Sequence, residues 1–145
     1  MQNAEMWMNM IDYKKLIREA ISARESSYAP YSGFMVGAAL LTPGGKVYRG
    51  CNIENAAYSP TNCAERTAFF TAVAAGERDF AAIAVAGWGK DGAKGLAYPC
   101  GVCRQVMMEF CDPDQFLVIT ALGEDDYKIH TLGELLPESF RLVNS

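Results

Sequence analysis

Hydrophobic residues along the chain switch between helical and strand-like spacing. Residues Asp12 to Glu25 carry apolar side chains along one helical stripe, and Asp12 is a candidate N-cap. The run from Phe34 to Leu41 predicts a strand, Thr42 to Gly45 predicts a turn, and Lys46 to Ile53 predicts the returning strand. The first third of the chain therefore predicts a helix followed by a β-hairpin.

Side-chain alternation assigns faces to the two strands of this hairpin. The two-residue period puts Phe34, Val36 and Ala38 together on one face. On the returning strand, the same period puts Asn52 and Glu54 together. This amide and carboxylate are either a binding pair or simply part of a solvated strand face.

The second half of the chain predicts alternating helices and strands. Its elements are a helix from about Asn62 to Ala75 closed by Gly76, a strand from Phe80 to Trp88, a helix from Cys100 to about Phe110 opened by Pro99, and a strand from Phe116 to Leu122. The first of these strands is continuously apolar, which is typical of a central strand covered on both faces. A strand, a helix and a strand with short connections predict a parallel crossover.

The last elements complete the fold prediction. Tyr127 to His130 is a candidate edge strand, and Thr131 to Glu134 is a capping box that starts a short helix ended by Pro137. The sum is an α/β fold with three layers, α-β-α, around a mixed sheet of about five strands. We expect one domain over residues 1–145, in which residues 1–10 are a loose N-terminal extension.

Composition and charge narrow the possible functions. The net charge of −4 argues against a groove that tracks phosphates, because nucleic-acid binders usually carry a basic footprint. No apolar run approaches the ~18 residues of a membrane span, and the first ten residues lack the features of a secretory signal. An odd count of five cysteines fits a reducing compartment. We therefore expect a cytoplasmic protein without nucleic-acid or membrane partners.

Two short motifs carry the candidate chemistry: Cys63-Ala64-Glu65-Arg66 and Pro99-Cys100-Gly101-Val102-Cys103-Arg104. Three thiolates with a fourth position left to water form a catalytic zinc site, and this spacing has the form of the signature of zinc-dependent nucleobase deaminases. Glu65 can reach that site only if Cys63 lies at the non-helical cap. In an ideal helix, side chains two positions apart point about 200° away from each other around the axis. Arg66 and Arg104 are expected to donate to ligand sulfurs and offset their negative charge.

Other readings of the cysteines remain open. A closed structural site needs a fourth thiolate, for which Cys51 is conceivable. Cys111 is excluded, because it lies eight residues past Cys103 on the same predicted helix, about 12 Å away along its axis. All five cysteines can also be buried free thiols, since cysteine is often a small core residue.

The residues resemble one family, the small zinc-dependent cytidine deaminases of nucleoside salvage. The resemblance runs from about Tyr28 to Phe140, and the matching segments are Tyr31-Ser32-Gly33-Phe34-Met35-Val36-Gly37-Ala38-Ala39, Gly50-Cys51-Asn52-Ile53-Glu54-Asn55-Ala56-Ala57-Tyr58, and the two cysteine motifs, the second continuing to Gln105. The cysteine motifs alone mark the deaminase superfamily. The segment around Asn52 and Glu54 narrows the resemblance to deaminases of free nucleosides.

The resemblance implies hydrolytic deamination of cytidine and 2′-deoxycytidine to uridine and 2′-deoxyuridine, by zinc-bound hydroxide with a glutamate proton shuttle. It also implies a homotetramer with pockets shared between subunits and one zinc ion per subunit. Its implied site residues are the zinc ligands Cys63, Cys100 and Cys103, the proton shuttle Glu65, and the substrate contacts Phe34, Asn52, Glu54, the main chain of Ala64, and Phe140 from a neighbouring subunit.

Some residues and readings fall outside this pattern. Tyr98 stands where the family commonly has serine, so the pocket rim is expected to differ. His130 is expected to be a surface residue of an edge strand, and Trp7 either a docking residue or part of a loose terminus. Tyr58, Phe69 and Phe70 are expected in the core or at a subunit interface. The competing functions are deamination of another aminopyrimidine nucleoside, such as a blasticidin-type antibiotic, and a non-catalytic zinc-stabilised scaffold.

Overall fold

A five-stranded sheet organises the computed structural model, which describes residues 10–92 and 95–142. The predicted extension at residues 1–10 lies outside the described residues except for Met10. The elements in chain order are α1 (Tyr13–Ala23) with a following 3₁₀ turn (Arg24–Ser26), β1 (Phe34–Leu41), β2 (Val47–Cys51), α2 (Ala64–Ala74), β3 (Ala82–Gly89), α3 (Gly101–Phe110), β4 (Leu117–Gly123), β5 (Asp126–Thr131) and α4 (Leu132–Leu135).

The sheet is mixed, with strand order β2-β1-β3-β4-β5. β1 pairs antiparallel with both β2 and β3, while β3 and β4 are parallel and β5 returns antiparallel at the edge. The predictions of a hairpin, a parallel crossover through α3 and an edge strand near the C-terminus are therefore confirmed. The mixed five-stranded sheet confirms the predicted fold class.

Helices cover both faces of the sheet, as the continuous apolar run of β3 predicts. On one face α1 packs through Leu16, Ile17 and Ala20 against small sheet residues, mainly alanines. On the other face α2 and α3 bury Phe69 and Met107 against the larger residues of the central strands. Asp12 caps α1 by accepting a hydrogen bond from the Lys15 backbone, and the predicted capping box of α4 is present.

Two glycines of the hairpin allow the helices to approach the sheet closely. A Cβ atom at Gly37 would lie 1.9 Å from the Ala20 carbonyl oxygen in α1. A Cβ atom at Gly50 would lie 2.3 Å from the Ala64 carbonyl oxygen at the start of α2. Backbone therefore touches backbone on both faces, and the contact at Gly50 sets the distance between the sheet and the first turn of α2.

One prediction about the hairpin is wrong. β2 ends at Cys51, so Asn52 and Glu54 lie beyond the paired strand and not on its open face. The chain continues there in an irregular extended segment, in which Ile53 makes isolated bridges to Tyr28 and Asn62. Asn52 N still donates to Val36 O of β1 (3.2 Å), but beyond it the pairing passes to the loop before β1, where Asn52 O accepts from Tyr28 N and Glu54 N donates to Tyr28 O.

Among the described residues, none of the helices combines the length and the apolar character that crossing a membrane requires.

Candidate metal centre and substrate pocket

Three sulfur atoms from two helix starts meet at one point. Cys63 and Cys100 are the N-cap residues of α2 and α3, and both have extended backbone conformations. Cys103 lies one turn into α3, so its sulfur is on the same side as that of Cys100. The sulfurs all lie within 4.8 Å of one another. Partial positive charge at two helix N-termini favours thiolates at this position.

The spacing of these sulfurs fits a zinc ion. The sulfurs of Cys63 and Cys100 are 3.8 Å apart, and those of Cys100 and Cys103 are 3.6 Å apart. A tetrahedral zinc ion with bonds of about 2.3 Å separates its sulfur ligands by about 3.8 Å. Within residues 10–92 and 95–142, this group has three members, and neither Cys51 nor Cys111 belongs to it. The donor set is therefore that of an open zinc site, with a fourth position left for another ligand.

Cys63 ionises more readily than Cys103. Hydrogen bonding with Cys103, followed by bonds from Arg66 and Cys100, lowers the pKa of Cys63 to about 5 against the opposing effect of burial. The same shared interaction, together with burial, raises the pKa of Cys103. We assign the first thiolate to Cys63 because the Arg66 guanidinium donates to its sulfur over 3.3 Å.

Glu65 lies buried at the same site, with 4% of its surface exposed. Burial raises its pKa to about 7, and the negative charge of Cys63 adds to the shift. Glu65 could reach the site of Cys63 only if Cys63 lay at a non-helical cap. This condition is met, because Cys63 has the extended backbone conformation of a helix cap and does not belong to the first helical turn. A carboxyl group with a pKa near neutrality can both accept and donate a proton at physiological pH.

The two arginines of the motifs have different partners. Arg66 donates to the Cys63 sulfur, as expected from its position three residues along α2. Arg104 does not follow the expectation, because its described hydrogen bonds go to backbone and not to sulfur. Its Nε donates to the Pro99 carbonyl (2.7 Å) and its Nη1 to the Leu135 carbonyl (2.5 Å). Only Arg66 is therefore placed to offset thiolate charge directly.

Asn52 is bonded to the first residues of β1. Its Oδ1 accepts a hydrogen bond from Val36 N (2.9 Å), and its Nδ2 donates to the Phe34 carbonyl (2.8 Å). An amide nitrogen carries two hydrogens, so one donor of Nδ2 remains for a ligand. Asn52 thereby fixes the backbone position of Phe34, whose side chain is 38% exposed.

Glu54 is bonded to the loop that precedes β1. Its carboxylate accepts hydrogen bonds from Tyr31 N (2.9 Å), Ser32 N (3.1 Å) and the Ser32 hydroxyl. The bond from the Ser32 hydroxyl is the main reason why the pKa of Glu54 is held below its ordinary value. Asn52 and Glu54 thus approach the same segment, residues 31–36, although they do not share a strand face.

The remaining residues named in the sequence analysis differ in exposure. Phe140 is 66% exposed and Tyr58 78% exposed, whereas Phe69 is fully buried in the core. Ala64 is buried at the first turn of α2, between the ligand Cys63 and Glu65. A groove of about 230 Å³ lies at the turn of the β1–β2 hairpin, at the other end of these strands from Phe34 and Cys51. Ile11, Leu41 and Val47 are among the residues that line it, and none of the predicted site residues does.

The rim residue Tyr98 packs against the single histidine. The two rings are 6.1 Å apart in an edge-to-face arrangement. His130 lies on the edge strand β5, as predicted, but its Nδ1 is buried without a described hydrogen-bond partner. It takes no part in the sulfur cluster.

Sequence reasoning missed two residues that shape the pocket. Ser32 bonds Glu54 and accepts a hydrogen bond from Phe34 N, and its place beside Gly33 in a turn is a signal that local reasoning can use. Arg24 is buried, stacks on Trp88 and donates to the carbonyls of Met35 and Trp88. No local pattern distinguishes Arg24 from the exposed charges of α1.

Comparisons with known proteins agree with this geometry. A family model described as the cytidine and deoxycytidylate deaminase zinc-binding region matches residues 10–119. A cytidine deaminase of Sporosarcina psychrophila is 52% identical over 130 residues, covering 90% of this chain and 92% of the relative. A cytidine deaminase of Halalkalibacterium halodurans is also 52% identical over 130 residues, covering 90% and 95%.

Solved structures show the same architecture. The crystal structure of a cytidine deaminase from Burkholderia pseudomallei has a TM-score of 0.81 at 50% identity, covering 90% of this chain and all of that one. The structure of a cytidine deaminase from Mycobacterium tuberculosis has a TM-score of 0.77 at 35% identity, covering 91% and 99%. The likeness therefore extends over nearly the whole length of both proteins.

Proposed function

The chain belongs to the family of zinc-dependent cytidine and deoxycytidylate deaminases, and on that premise we propose that it hydrolyses free cytidine and 2′-deoxycytidine to uridine and 2′-deoxyuridine, releasing ammonia. The observation that carries this proposal is the buried Glu65, with a pKa of about 7, beside three sulfurs at zinc-binding distances. The chain is accordingly a deaminase with one zinc ion per subunit.

Cys63, Cys100 and Cys103 would hold the zinc ion. When bound, zinc supplies a Lewis acid that lowers the pKa of a water molecule towards neutrality. Three thiolates exceed the charge of a zinc ion by one, which weakens it as a Lewis acid. Arg66, through its hydrogen bond to Cys63, withdraws part of that negative charge.

Glu65 moves the protons of the reaction. It accepts a proton from the attacking water and passes it to N3 of the pyrimidine. It then takes the proton of the new C4 hydroxyl and delivers it to the 4-amino group, which leaves as ammonia while the C4 carbonyl forms. The burial of Glu65 supports both the uptake and the release of a proton, because a pKa near the working pH allows one carboxyl group to act as base and then as acid. The main chain of Ala64, the residue before Glu65, would contact the pyrimidine edge.

Asn52 and Glu54 recognise the sugar. Asn52 keeps one amide hydrogen for the ribose 3′-hydroxyl, and Glu54 offers a carboxylate whose ionised form is favoured by its bonds to Ser32. Phe34, held by Asn52, packs on the base or sugar. A pocket with dedicated partners for a hydroxyl group rejects analogues that lack it.

We propose that neighbouring copies complete the pocket in a homotetramer. Tyr58 and Phe140 are exposed in the single chain and offer aromatic surface for contacts between copies. Phe140 would reach the site of a neighbouring subunit. A cytoplasmic location in pyrimidine salvage is part of the proposal, since an odd count of five cysteines fits a reducing compartment.

A direct assay tests the proposed reaction. The purified protein, loaded with one zinc ion per chain, is mixed separately with cytidine, 2′-deoxycytidine and CMP, and the loss of absorbance near the cytidine maximum is followed. We expect turnover of both nucleosides and little turnover of CMP. Absence of turnover with both nucleosides, in protein that holds its zinc, would overturn the proposal.

A further inference from the structure

Arg104 connects two distant segments through backbone carbonyls. It lies in the first turns of α3, directly after the metal ligand Cys103. Its guanidinium bonds the carbonyl of Pro99, which precedes the ligand Cys100, and the carbonyl of Leu135, which is the last residue of α4. The fork of the guanidinium makes this double contact possible, because its Nε and Nη groups donate in fixed, diverging directions.

The bond to Pro99 restrains the position of Cys100. A peptide unit is planar, so fixing the Pro99 carbonyl also fixes the plane that contains Cys100 N. Cys100 is an exposed N-cap residue whose side chain makes no capping hydrogen bond. Among the described contacts, its sulfur is held only by the other two sulfurs. The loop at this ligand therefore depends on Arg104 for its backbone orientation.

The bond to Leu135 ties this loop to the C-terminal segment, residues 135–142. The carbonyl at the end of α4 has no helical partner, so a guanidinium donor satisfies it. Gln105, the next residue of α3, donates to the Phe140 carbonyl (3.2 Å). At the other end of α3, Arg141 donates to the carbonyls of Glu109 (3.2 Å) and Cys111 (3.5 Å). The segment that presents Phe140 is thus fastened along the helix that begins at the metal ligands.

We propose that Arg104 is a positioning residue of the zinc site, which holds the backbone before Cys100 in place by anchoring it to the C-terminal segment 135–142. This inference rests on the zinc site of the proposed function. It assigns to Arg104 a mechanical role through main-chain carbonyls, distinct from the charge compensation that Arg66 provides. Loss of Arg104 frees two carbonyls and loosens both the ligand loop and the segment that presents Phe140.

Zinc affinity tests this role without reference to turnover. The variant Arg104→Gln removes the fork, and its zinc dissociation constant is measured by competition with a chromophoric chelator. We expect it to rise about 10–100-fold, as is typical when a group that orients a metal ligand is removed. The matched control is Arg78→Gln, because Arg78 also donates to two backbone carbonyls, those of Val73 and Glu77 at the end of α2. Its dissociation constant should stay within twofold of the parent.

Two further measurements separate positioning from general stability. In Co²⁺-loaded Arg104→Gln, the sulfur-to-metal charge-transfer band should shift, and amide hydrogen exchange of residues 135–142 should accelerate in the metal-free protein. Arg141→Gln should accelerate that exchange while leaving the cobalt spectrum unchanged, because Arg141 does not contact Pro99. If Arg104→Gln fails to fold, Arg104→Lys, which keeps the charge without the fork, serves for the same comparison.

The outcomes distinguish the two proposals. A parent protein that binds no zinc would overturn the zinc site and this inference together. The role of Arg104 alone would be overturned by a different result, in which the parent protein binds zinc. In that result Arg104→Gln has the same zinc affinity as Arg78→Gln and the same cobalt spectrum as the parent.

Discussion

Replacement of Glu65 by glutamine should inactivate the protein and stabilise its metal-free form. The carboxyl group is buried, so its charged form is disfavoured in the folded chain. Glutamine has nearly the same shape and carries no charge, so the variant does not carry the free-energy cost of a buried carboxyl group that would otherwise ionise. Turnover should fall at least about 100-fold, the usual contribution of a general acid–base group, while zinc binding persists.

The sign and size of the stability change follow from the pKa. Folding raises the pKa of Glu65 from 4.5 to about 7, so the folded chain retains a proton that the unfolded chain releases. The metal-free protein therefore loses stability as the pH rises from about 4.5 to about 7, and the loss is complete above pH 7. A shift of this size corresponds to about 3 kcal/mol at most.

Urea unfolding measures this difference. The parent protein and Glu65→Gln, both reduced and treated with a chelator, are unfolded at pH 5 and at pH 8. The gain is the increase in the free energy of unfolding caused by the substitution, and it is compared between the two pH values. The gain should be larger at pH 8 by up to about 3 kcal/mol. The lowered pKa of Cys63 gives both proteins an opposite trend, and because its charge also raises the pKa of Glu65, the comparison includes the interaction between these two groups. Glu109→Gln, at an exposed position of α3, should change stability by less than about 0.5 kcal/mol at either pH.

Two results would refute this reasoning. A gain that is equal at pH 5 and pH 8 would mean that Glu65 does not titrate between them in the folded chain. A variant with undiminished turnover would remove Glu65 from the proton transfers, whatever its effect on stability.

Three further experiments test other parts of the site. Cys100→Ala should reduce bound zinc from one per chain to near zero and remove about 4 kcal/mol of stability at a thousandfold excess of zinc over its dissociation constant; a full zinc content by elemental analysis would contradict the ligand assignment. Phe140→Ala should raise KM about fivefold with an unchanged Tm, as expected for about 1 kcal/mol of lost aromatic contact; an unchanged KM would remove its role in a neighbouring pocket. Gly50→Ala should weaken zinc binding because its Cβ would meet Ala64 at the start of α2, whereas Gly37→Ala, equally crowded against α1, should destabilise the fold without that effect; equal zinc affinities in the two variants would contradict this.

Local patterns were sufficient to predict the layers and the metal cluster. The apolar run of β3 indicated a strand covered on both faces, and both faces are covered. The two cysteine motifs lie at helix starts, where spacing along the chain determines which sulfurs share a side. These features depend on neighbours within a few residues, which is the information that periodicity contains.

The errors concern contacts between residues far apart in the chain. Arg104 bonds Leu135, 31 residues away, and Arg24 bonds Trp88, 64 residues away. Arg24 does not stand out in its own segment, because an arginine beside a helix resembles any solvated charge until its partner is known. The motif does single out Arg104, but it does not indicate that the partners of Arg104 are backbone carbonyls. The assignment of Asn52 and Glu54 to a strand face failed for the same reason, since the loop at Tyr28 competes for that backbone.

The sheet changes direction at β3, which is antiparallel to β1 and parallel to β4. The proposed sugar contacts lie on the hairpin side of this boundary, at residues 31–36 and 52–54. The sulfur ligands come from the starts of the two helices on either side of β3 in the chain, α2 and α3. Substitutions that aim to change the accepted sugar can therefore be confined to residues 31–36 and 52–54. The rest of β1, which pairs with both β2 and β3, then stays unchanged, and so does Gly50, whose contact with Ala64 sets the position of the first turn of α2.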